Sequence, residues 1–453
     1  MTYYYHRRRS VFSGVILILI GVLFLLYEYH PEIQIGRLFL HYWPLLLILW
    51  GVARLFDHLV ASRAGETGPP AISGGEVALI VLLLVAVASI AGVDWARKHN
   101  PGIDFGMGNI FEHSYHWSSS LPAVPAKPNE VISISTVRGN ISVRPGSDSE
   151  LHVAVRKTAR ASDEANARNR ADNVRVQVTP TSNGYQIQPQ ISGGADSSVK
   201  VDLDVELPSQ SRITAQTSHG SITISKMDGP VSINCQSGDL NIHDISGDVN
   251  ASMAHGDARI GNIKGNVSLN GHGGELDLSG ITGDATIDGD FYGPVRARNV
   301  AQTTRYTSSL TNLTLAQLSG QLEMDSGNMT VSGVQGSLAL TTANKDITLT
   351  GVAGRIDLTD KRGDIHVTFA HPPHDDLRVA DESGNIDVTL PAQSSFEISA
   401  VSRNGEIQND FSASGVKSTN TGNMTVVQGA YGARGPRVKL STTYGTVSIH
   451  KSQ

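Results

Sequence analysis

Residues 220–283 read GSITISKMDGPVSINCQSGDLNIHDISGDVNASMAHGDARIGNIKGNVSLNGHGGELDLSGITG, with a glycine at every ninth position. Regular spacing of this kind indicates stacked structural units that repeat along the chain. We interpret the glycines as structural corner residues, because glycine suits corners that need positive φ or leave no room for a side chain. The corner glycines are Gly220, Gly229, Gly238, Gly247, Gly256, Gly265, Gly274 and Gly283.

Aliphatic residues recur at twice the glycine spacing, so that positions eighteen apart form columns. Polar residues such as Thr223, Asn241 and Arg259 lie between them, and this period of two indicates strands buried on one side. The column residues are Ile222, Leu240, Ala258, Leu276; Ile224, Ile242, Ile260, Leu278; Met227, Ile245, Ile263, Ile281; Val231, Val249, Val267, Ala285; and Ile233, Ala251, Leu269, Ile287. Two short strands per eighteen-residue turn predict a parallel β-solenoid whose turns stack about 4.8 Å apart.

The same pattern extends in both directions along the chain. After a break it resumes at Met329, Ile347 and Ile365, so we assign residues 211–453 to the solenoid. Residues 131–210 contain alternating strand patterns, interrupted by the helix-favouring segment ASDEANARNRADN at 161–173. We therefore predict a β-rich cap with one inserted short helix over 131–210.

The first hundred residues are apolar enough to span a membrane. Three segments, Val11–Tyr27, Leu38–Val52 and Val77–Val93, predict three transmembrane helices within residues 1–99, since about 17 to 20 residues cross the hydrocarbon core. Arg7 and its two neighbouring arginines precede the first span. Positive charge stays inside, so we expect a multi-pass protein of the cytoplasmic (inner) membrane with a cytoplasmic N-terminus. Residues after 94 are then extracytoplasmic, and residues 100–130 form a flexible linker.

Two regions resemble known families. GVILILIGVLFLLYEY and YWPLLLILWGVARL are similar to the LiaI–LiaF-like transmembrane region of bacterial envelope-stress proteins. The repeated SGDLNI, SGDVNA, HGDARI, TGDATI, RGDIHV and SGNIDV follow the pattern [ST]-G-[DN]-φ-x-φ, with His or Arg at the first position in two of the six. Over Val131–Ile449 they resemble the bacterial Toastrack, or putative-adhesin, β-solenoid family. This resemblance implies a cell-envelope protein attached to membrane sensors or accessory proteins of envelope stress.

Composition excludes several classes of function. The chain has 453 residues, a net charge of −6 and one cysteine, Cys235. Nucleic-acid binding needs clustered positive charge, and a disulfide framework or cysteine metal cluster needs more than one thiol. Nucleotide-binding fingerprints and a G-x-S-x-G nucleophile motif do not occur in the sequence. We therefore expect a non-enzymatic protein with no catalytic residue and no cofactor.

One group of acidic residues is a weak candidate for a metal site. Asp239, Asp257 and Glu275 are eighteen apart and would lie above one another at a corner. Carboxylates about 4.8 Å apart repel by about 1 kcal/mol per pair even in water. Solvent and corner N–H groups could relieve this repulsion, or a divalent cation such as Ca²⁺ could bind. The loop His371–Asp376 (HPPHDD) offers a second set of metal-ligand residue types.

We expect a membrane-anchored extracytoplasmic scaffold, adhesin-like, that binds an envelope protein or polymer. Its partners would also include the lipid bilayer through three helices, and a second copy through a strand edge exposed near Val447–Ile449. The alternative is an accessory or regulatory component of envelope-stress signalling that contacts a membrane sensor. A calcium-binding β-roll needs denser GGxGxD runs, and a carbohydrate-active β-helix enzyme needs paired carboxylates on one face.

Overall fold

The computed structural model describes residues 113–191 and 199–452. Within them the protein is all-β with one helix, as the sequence predicts. None of these residues forms an apolar helix long enough to cross a bilayer. The three predicted spans, and residues 100–112 of the predicted linker, lie outside the described residues. The rest of the predicted linker is not simply flexible chain, since it contains the strands His113–Ser120 and Val124–Pro125. The chain divides into two compact units. The first contains Tyr115 and Arg160–Arg168. The second contains His116–Ala159 and the residues from Asn169 onward, and it includes the stacked strands described below.

Thirty-two strands and one helix make up the described chain. The first strands and the helix are β1 His113–Ser120, β2 Val124–Pro125, β3 Val131–Arg138, β4 Ile141–Pro145, β5 Glu150–Ala161, α1 Glu164–Asp172, β6 Val174–Thr181, β7 Gly184–Ile191, β8 Val199–Leu207 and β9 Arg212–His219. The central strands are β10 Ile222–Met227, β11 Val231–Cys235, β12 Leu240–Ile245, β13 Val249–Met253, β14 Ala258–Ile263, β15 Val267–Gly271, β16 Leu276–Ile281, β17 Ala285–Asp288, β18 Val295–Thr307 and β19 Asn312–Met324. The remaining strands are β20 Asn328–Val334, β21 Leu338–Thr341, β22 Asp346–Val352, β23 Ile356–Arg362, β24 Ile365–Thr368, β25 Leu377–Ser383, β26 Ile386–Pro391, β27 Phe396–Ser402, β28 Ile407–Asn409, β29 Lys417–Thr421, β30 Met424–Tyr431, β31 Arg437–Tyr444 and β32 Val447–Ser452.

The central strands form two parallel stacks, with one strand of each turn in each stack. In the first, β10, β12, β14 and β16 pair so that Ile222 lies beside Leu240, and Leu240 beside Ala258. In the second, β11, β13, β15 and β17 pair so that Val231 lies beside Val249. Every predicted column residue is buried, and the pairing offset is eighteen throughout. The columns are therefore confirmed, and each buried Leu, Ile or Val contributes about 1.5–3 kcal/mol.

The stacks continue into the residues before 211. β3 pairs in parallel with β9 and β4 with β10, which puts Ile132 beside Ile213 and Ile141 beside Ile222. On their other sides β3 and β4 pair with β7 and β8. β3 and β4 thus lie inside the stack, with β7 and β8 on one side of them and β9 and β10, which lead into the central strands, on the other. The boundary at residue 210 between cap and solenoid stays a prediction.

The predicted short helix is observed as α1. Its first turn is capped by Asp163, whose Oδ1 accepts a hydrogen bond from the Asn166 backbone N–H at 2.9 Å. A capping aspartate satisfies backbone donors that have no partner inside the helix.

One turn in the middle of the stack runs backwards. β18 pairs in parallel with β16 and β17, but β19 is antiparallel both to β18 and to the strands that follow it, β20 and β21. Because two reversals cancel, β20 runs in the same direction as β18. Buried positions remain in register across the reversed turn, for example Ala297 beside Leu322 and Leu322 beside Val331.

The last two strands of the chain lie inside the stack. β31 is paired between β25 and β27, and β32 between β26 and β28. The prediction of an exposed edge near Val447–Ile449 is therefore wrong, since Val447 is paired on both sides, with Ile386 and with Ile407. The strands at this end are instead β28 and β29, and all five residues of β29 are exposed and polar. A lysine and short polar side chains protect such an edge against aggregation.

Candidate functional site

The eight corner glycines lie where successive turns approach each other closely. At Gly238 φ is +149°, and a Cβ there would stand 2.2 Å from the carbonyl oxygen of Gly220 in the neighbouring turn. At Gly229 φ is ordinary, but a Cβ would stand 2.0 Å from the Ser211 carbonyl oxygen. Each of the other six would also place a Cβ within 3.0 Å of an atom of the adjacent turn. The nine-residue glycine spacing therefore corresponds to steric contact between turns.

The acidic residues Asp239, Asp257 and Glu275 form a ladder along one corner. Asp239 Oδ1 accepts a hydrogen bond from the Asp257 backbone N–H at 3.0 Å, and Asp257 Oδ1 accepts one from the Glu275 N–H at 2.9 Å. Each aspartate therefore satisfies a backbone donor one turn further along, which offsets the cost of stacking like charges.

The same arrangement recurs at other corners with asparagine in the ladder. Asp248 accepts from the Asn266 N–H, Asn266 from the Asp284 N–H, and Asp284 from the Thr303 N–H, at 2.8 to 2.9 Å. Either residue type has the acceptor oxygen that the position needs. This explains why Asp or Asn follows the glycine in the repeated motif.

Arginines complete the charge balance at the far end of the acidic ladder. Glu275 accepts a hydrogen bond from Arg296, which also donates to Glu323 at 2.9 Å. Arg259 lies 3.8 Å from both Asp257 and Glu275. The ladder is therefore an arrangement of backbone hydrogen bonds and ion pairs, and cation binding by Asp239, Asp257 and Glu275 stays a prediction.

The other metal candidates are also engaged in protein contacts. Asp376, in the HPPHDD loop, accepts hydrogen bonds from the backbone and the guanidinium of Arg437, both at 2.9 Å, and the backbone bond holds its pKa below the usual range. Among the described residues, Asp148, Glu150 and His152 form the one group with metal-ligand spacing, which the sequence analysis missed. Hydrogen bonding between Asp148 and His152 lowers the pKa of the aspartate and raises that of the histidine, as in an ordinary exposed ion pair.

The outward side of the second stack presents a surface of short, uncharged polar side chains. Six exposed residues of β11, β13 and β15 stand in two lanes in register, and we call them the Ser/Asn face. They are Ser232, Asn250, Ser268 and Asn234, Ser252, Asn270. Parallel pairing places neighbours in each lane about 4.8 Å apart. Hydroxyl and amide groups both donate and accept hydrogen bonds, so the face offers a regular array for a polar ligand.

Comparisons with known proteins agree with the fold. A family model described as Toastrack DUF4097 matches residues 129–450, and a model of the LiaI–LiaF-like transmembrane region matches residues 11–55. No curated protein gives a significant match to the chain.

Several solved structures are similar to the chain at low identity. A putative cell adhesion protein from Clostridium sporogenes ATCC 15579 is 9% identical, with 75% of this chain and 100% of that chain covered and a TM-score of 0.19. A putative adhesin from Bacteroides fragilis NCTC 9343 is 10% identical, with 75% and 97% covered and a TM-score of 0.20. A putative adhesin from Parabacteroides merdae ATCC 43184 is 10% identical, with 73% and 95% covered and a TM-score of 0.22. We draw no functional conclusion from values this low.

Proposed function

The chain belongs to the Toastrack DUF4097 family, and we propose that it is a non-enzymatic, membrane-anchored binding scaffold of the bacterial cell envelope. The match to the LiaI–LiaF-like transmembrane region supports anchoring by the N-terminal residues. In this proposal three helices span the cytoplasmic membrane, and the solenoid stands outside the cell as an adhesin-like binding domain.

The observation that carries this proposal is the Ser/Asn face. At the corners the acidic side chains are occupied by backbone N–H groups and arginines, whereas the six residues of this face are exposed. A surface of small polar groups spaced along paired strands suits binding to an extended partner better than it suits catalysis, which needs converging groups in a concave pocket. We therefore place the partner, an envelope protein or polymer, on this face.

A second candidate function is an accessory role in envelope-stress signalling. The match over residues 11–55 favours it, because resemblance links this transmembrane region to envelope-stress proteins. In that case the functional contact is made in the bilayer with a membrane sensor, and the solenoid acts as the external input domain.

Site-specific photocrosslinking in native membranes separates these functions. We expect a photoreactive residue at Asn250, on the Ser/Asn face, to form an adduct with a structural envelope protein or envelope polymer. Asn262, an exposed residue of the same type on β14 in the other stack, is the matched control and should form none. An adduct with a sensor kinase would favour signalling, and equal labelling at both positions would contradict the assignment of the face.

The topology can be tested with a reporter fused after Gln453 in the full chain. Three spans with a cytoplasmic N-terminus place the C-terminal side outside the cytoplasm, so a reporter that is active only in the periplasm should be active. A cytoplasmic reporter at the same position should be inactive. The opposite pair of results would overturn both the three-span topology and the extracytoplasmic function.

A further inference from the structure

One interior position of the solenoid is repeatedly occupied by a hydrogen-bond donor. It lies three residues before a glycine that packs against the neighbouring turn, as Gly220, Gly363, Gly384, Gly405 and Gly445 do, and its side chain points at a backbone carbonyl of that turn. Ser402 Oγ donates to the Gly445 carbonyl at 2.8 Å, Thr442 Oγ1 to Gly384 at 3.1 Å, and Thr217 Oγ1 to Gly139 at 3.2 Å. We call this the donor position.

Two aspartates, Asp360 and Asp381, occupy the donor position in consecutive turns. They are paired side by side in β23 and β25 and are only 2% and 7% exposed. One oxygen of each carboxyl accepts a backbone hydrogen bond, from the Lys345 N–H at 3.4 Å and from the Glu382 N–H at 2.8 Å. The other oxygen, Oδ1 of Asp360 and Oδ2 of Asp381, is buried without a hydrogen-bond partner.

The unpartnered oxygen of Asp381 has the same position in its turn of the solenoid as the hydroxyl of Ser402 has in another turn. A Cβ built on Gly405 would be 2.0 Å from the Gly445 carbonyl oxygen and 2.9 Å from Ser402 Oγ. A Cβ built on Gly384 would be 2.0 Å from the Gly363 carbonyl oxygen and 2.6 Å from Asp381 Oδ2. The two corners thus have the same geometry, but a carboxylate and a carbonyl are both acceptors and cannot bond without a proton.

We propose that Asp360 and Asp381 are proton-binding sites, each held as a neutral carboxylic acid that donates its proton to a corner carbonyl of the neighbouring turn. The proton comes from hydronium in the solvent, which is left as water; it forms an O–H bond on the unpartnered oxygen and makes that oxygen a donor like the hydroxyl of Ser402 or Thr442. The acceptor is the Gly363 carbonyl for Asp381 and the Lys345 carbonyl for Asp360, which a Cβ on Gly363 would approach to 2.2 Å. The turns that contain β23, β25 and β31 are then held more firmly in acid than at neutral pH.

The charged groups around the pair agree with this assignment. Burial raises the pKa of Asp381 to about 6, and the negative charges of Asp360 and Asp364 add to the effect. Burial also raises the pKa of Asp360. On the next strand, β31, the partner of Asp381 is the uncharged Thr442.

The nearest cation does not neutralise the pair. Lys345, in the corner before β22, attracts the ionised form of Asp360, but the effect on its pKa is smaller than that of burial. Its own pKa is lowered by burial, although Asp325 and Asp360 oppose this, and its Nζ donates to the Asp325 carbonyl.

The pH dependence follows from the direction of these shifts. The folded chain binds protons more tightly than the unfolded chain, in which an aspartate has a pKa of about 3.9. The stabilisation is therefore complete below that value and is lost as the pH rises through about 6.

The test is thermal unfolding of the full chain in detergent at pH 5.0 and 7.5, with Asp381→Asn and Asp381→Thr. Both replacements donate a hydrogen bond without titrating, so we expect a higher melting temperature than the wild type at pH 7.5 and a much smaller gain at pH 5.0. Asp357→Asn is the matched control on β23, where the carboxylate is outward beside Arg355 and Arg378, and it should give no gain. Lower melting of both Asp381 variants at both pH values would overturn the proposal.

Infrared spectroscopy of the wild-type chain keeps the test independent of the folding of any variant. We expect the protonated carboxyl band to lose intensity in a step with a midpoint near pH 6, separate from the step near pH 4 that ordinary carboxyl groups give. Absence of the step near pH 6 would overturn the proposal. So would an increase in melting temperature with Ca²⁺ that Asp381→Asn removes, because a cation would then hold the two carboxylates.

Discussion

Leu240→Asp is expected to leave the solenoid unfolded. Leu240 is 0% exposed and lies in the column between Ile222 and Ala258. An ionised carboxylate there has no partner and costs several kcal/mol, and the lost leucine packing adds about 2–5 kcal/mol. Since domains are stable by only about 5–15 kcal/mol in total, this is enough to remove the cooperative transition. Circular dichroism melting and limited proteolysis of the full chain measure it.

The matched control is Asn241→Asp, which introduces the same charge one residue further on. Asn241 lies on the outward side of β12, where Arg259 is its neighbour in the next strand. We expect a change of at most about 0.5 kcal/mol, as for most surface substitutions. Normal melting of Leu240→Asp would show that the column does not form the core.

Gly238→Ala is expected to destabilise the stack by about 3 kcal/mol or more, through two separate effects. A residue with a Cβ is strained at φ +149°, which costs about 1–3 kcal/mol. The Cβ would also stand 2.2 Å from the Gly220 carbonyl oxygen, so the two turns must move apart and weaken their strand pairing. Chemical denaturation of the full chain measures the loss.

Gly422→Ala separates the two effects. Gly422 also has positive φ, at +63°, but nothing lies within 4 Å of the place of its Cβ. We therefore expect only the conformational cost of about 1 kcal/mol. If both variants lost the same stability, close approach between turns would not be the reason for the glycine spacing.

The columns were predictable because in this fold the sequence spacing equals the spatial register. Ile222, Leu240 and Ala258 are eighteen apart in sequence and adjacent in space. The sequence period therefore predicts both which residues are buried and which residues are neighbours. Where the connection is not periodic, the prediction was incomplete. The reversed strand β19 pairs with its neighbours in sequence, β18 and β20, but as an antiparallel hairpin that the eighteen-residue spacing does not encode. The insertion of β31 and β32 depends on pairings between distant segments.

The position of the acidic ladder was predictable from the sequence. The interactions of its carboxylates were predictable only in part. The spacing of Asp239, Asp257 and Glu275 indicates that they stack and that their repulsion is relieved by corner N–H groups or by a cation. The structure shows hydrogen bonds from backbone N–H groups to both aspartates. The contribution of Arg296 was not foreseen, because it belongs to β18, beyond the regular repeat. The sequence does not indicate a role for Asp360 and Asp381, because the burial and the missing hydrogen-bond partners of their side chains depend on how the turns pack together.

The reversed turn has a consequence for how such a chain can change in length. Because β16, β18 and β20 all run in the same direction, excising the hairpin of β18 and β19 would bring β20 beside β16 in parallel. Removal of this hairpin would thus leave the strand direction of the turns on either side unchanged. Elsewhere, tandem duplication of eighteen residues adds one layer and extends the reach by about 4.8 Å. A change in the number of repeats would therefore change the length of the strand stack in steps of about 4.8 Å.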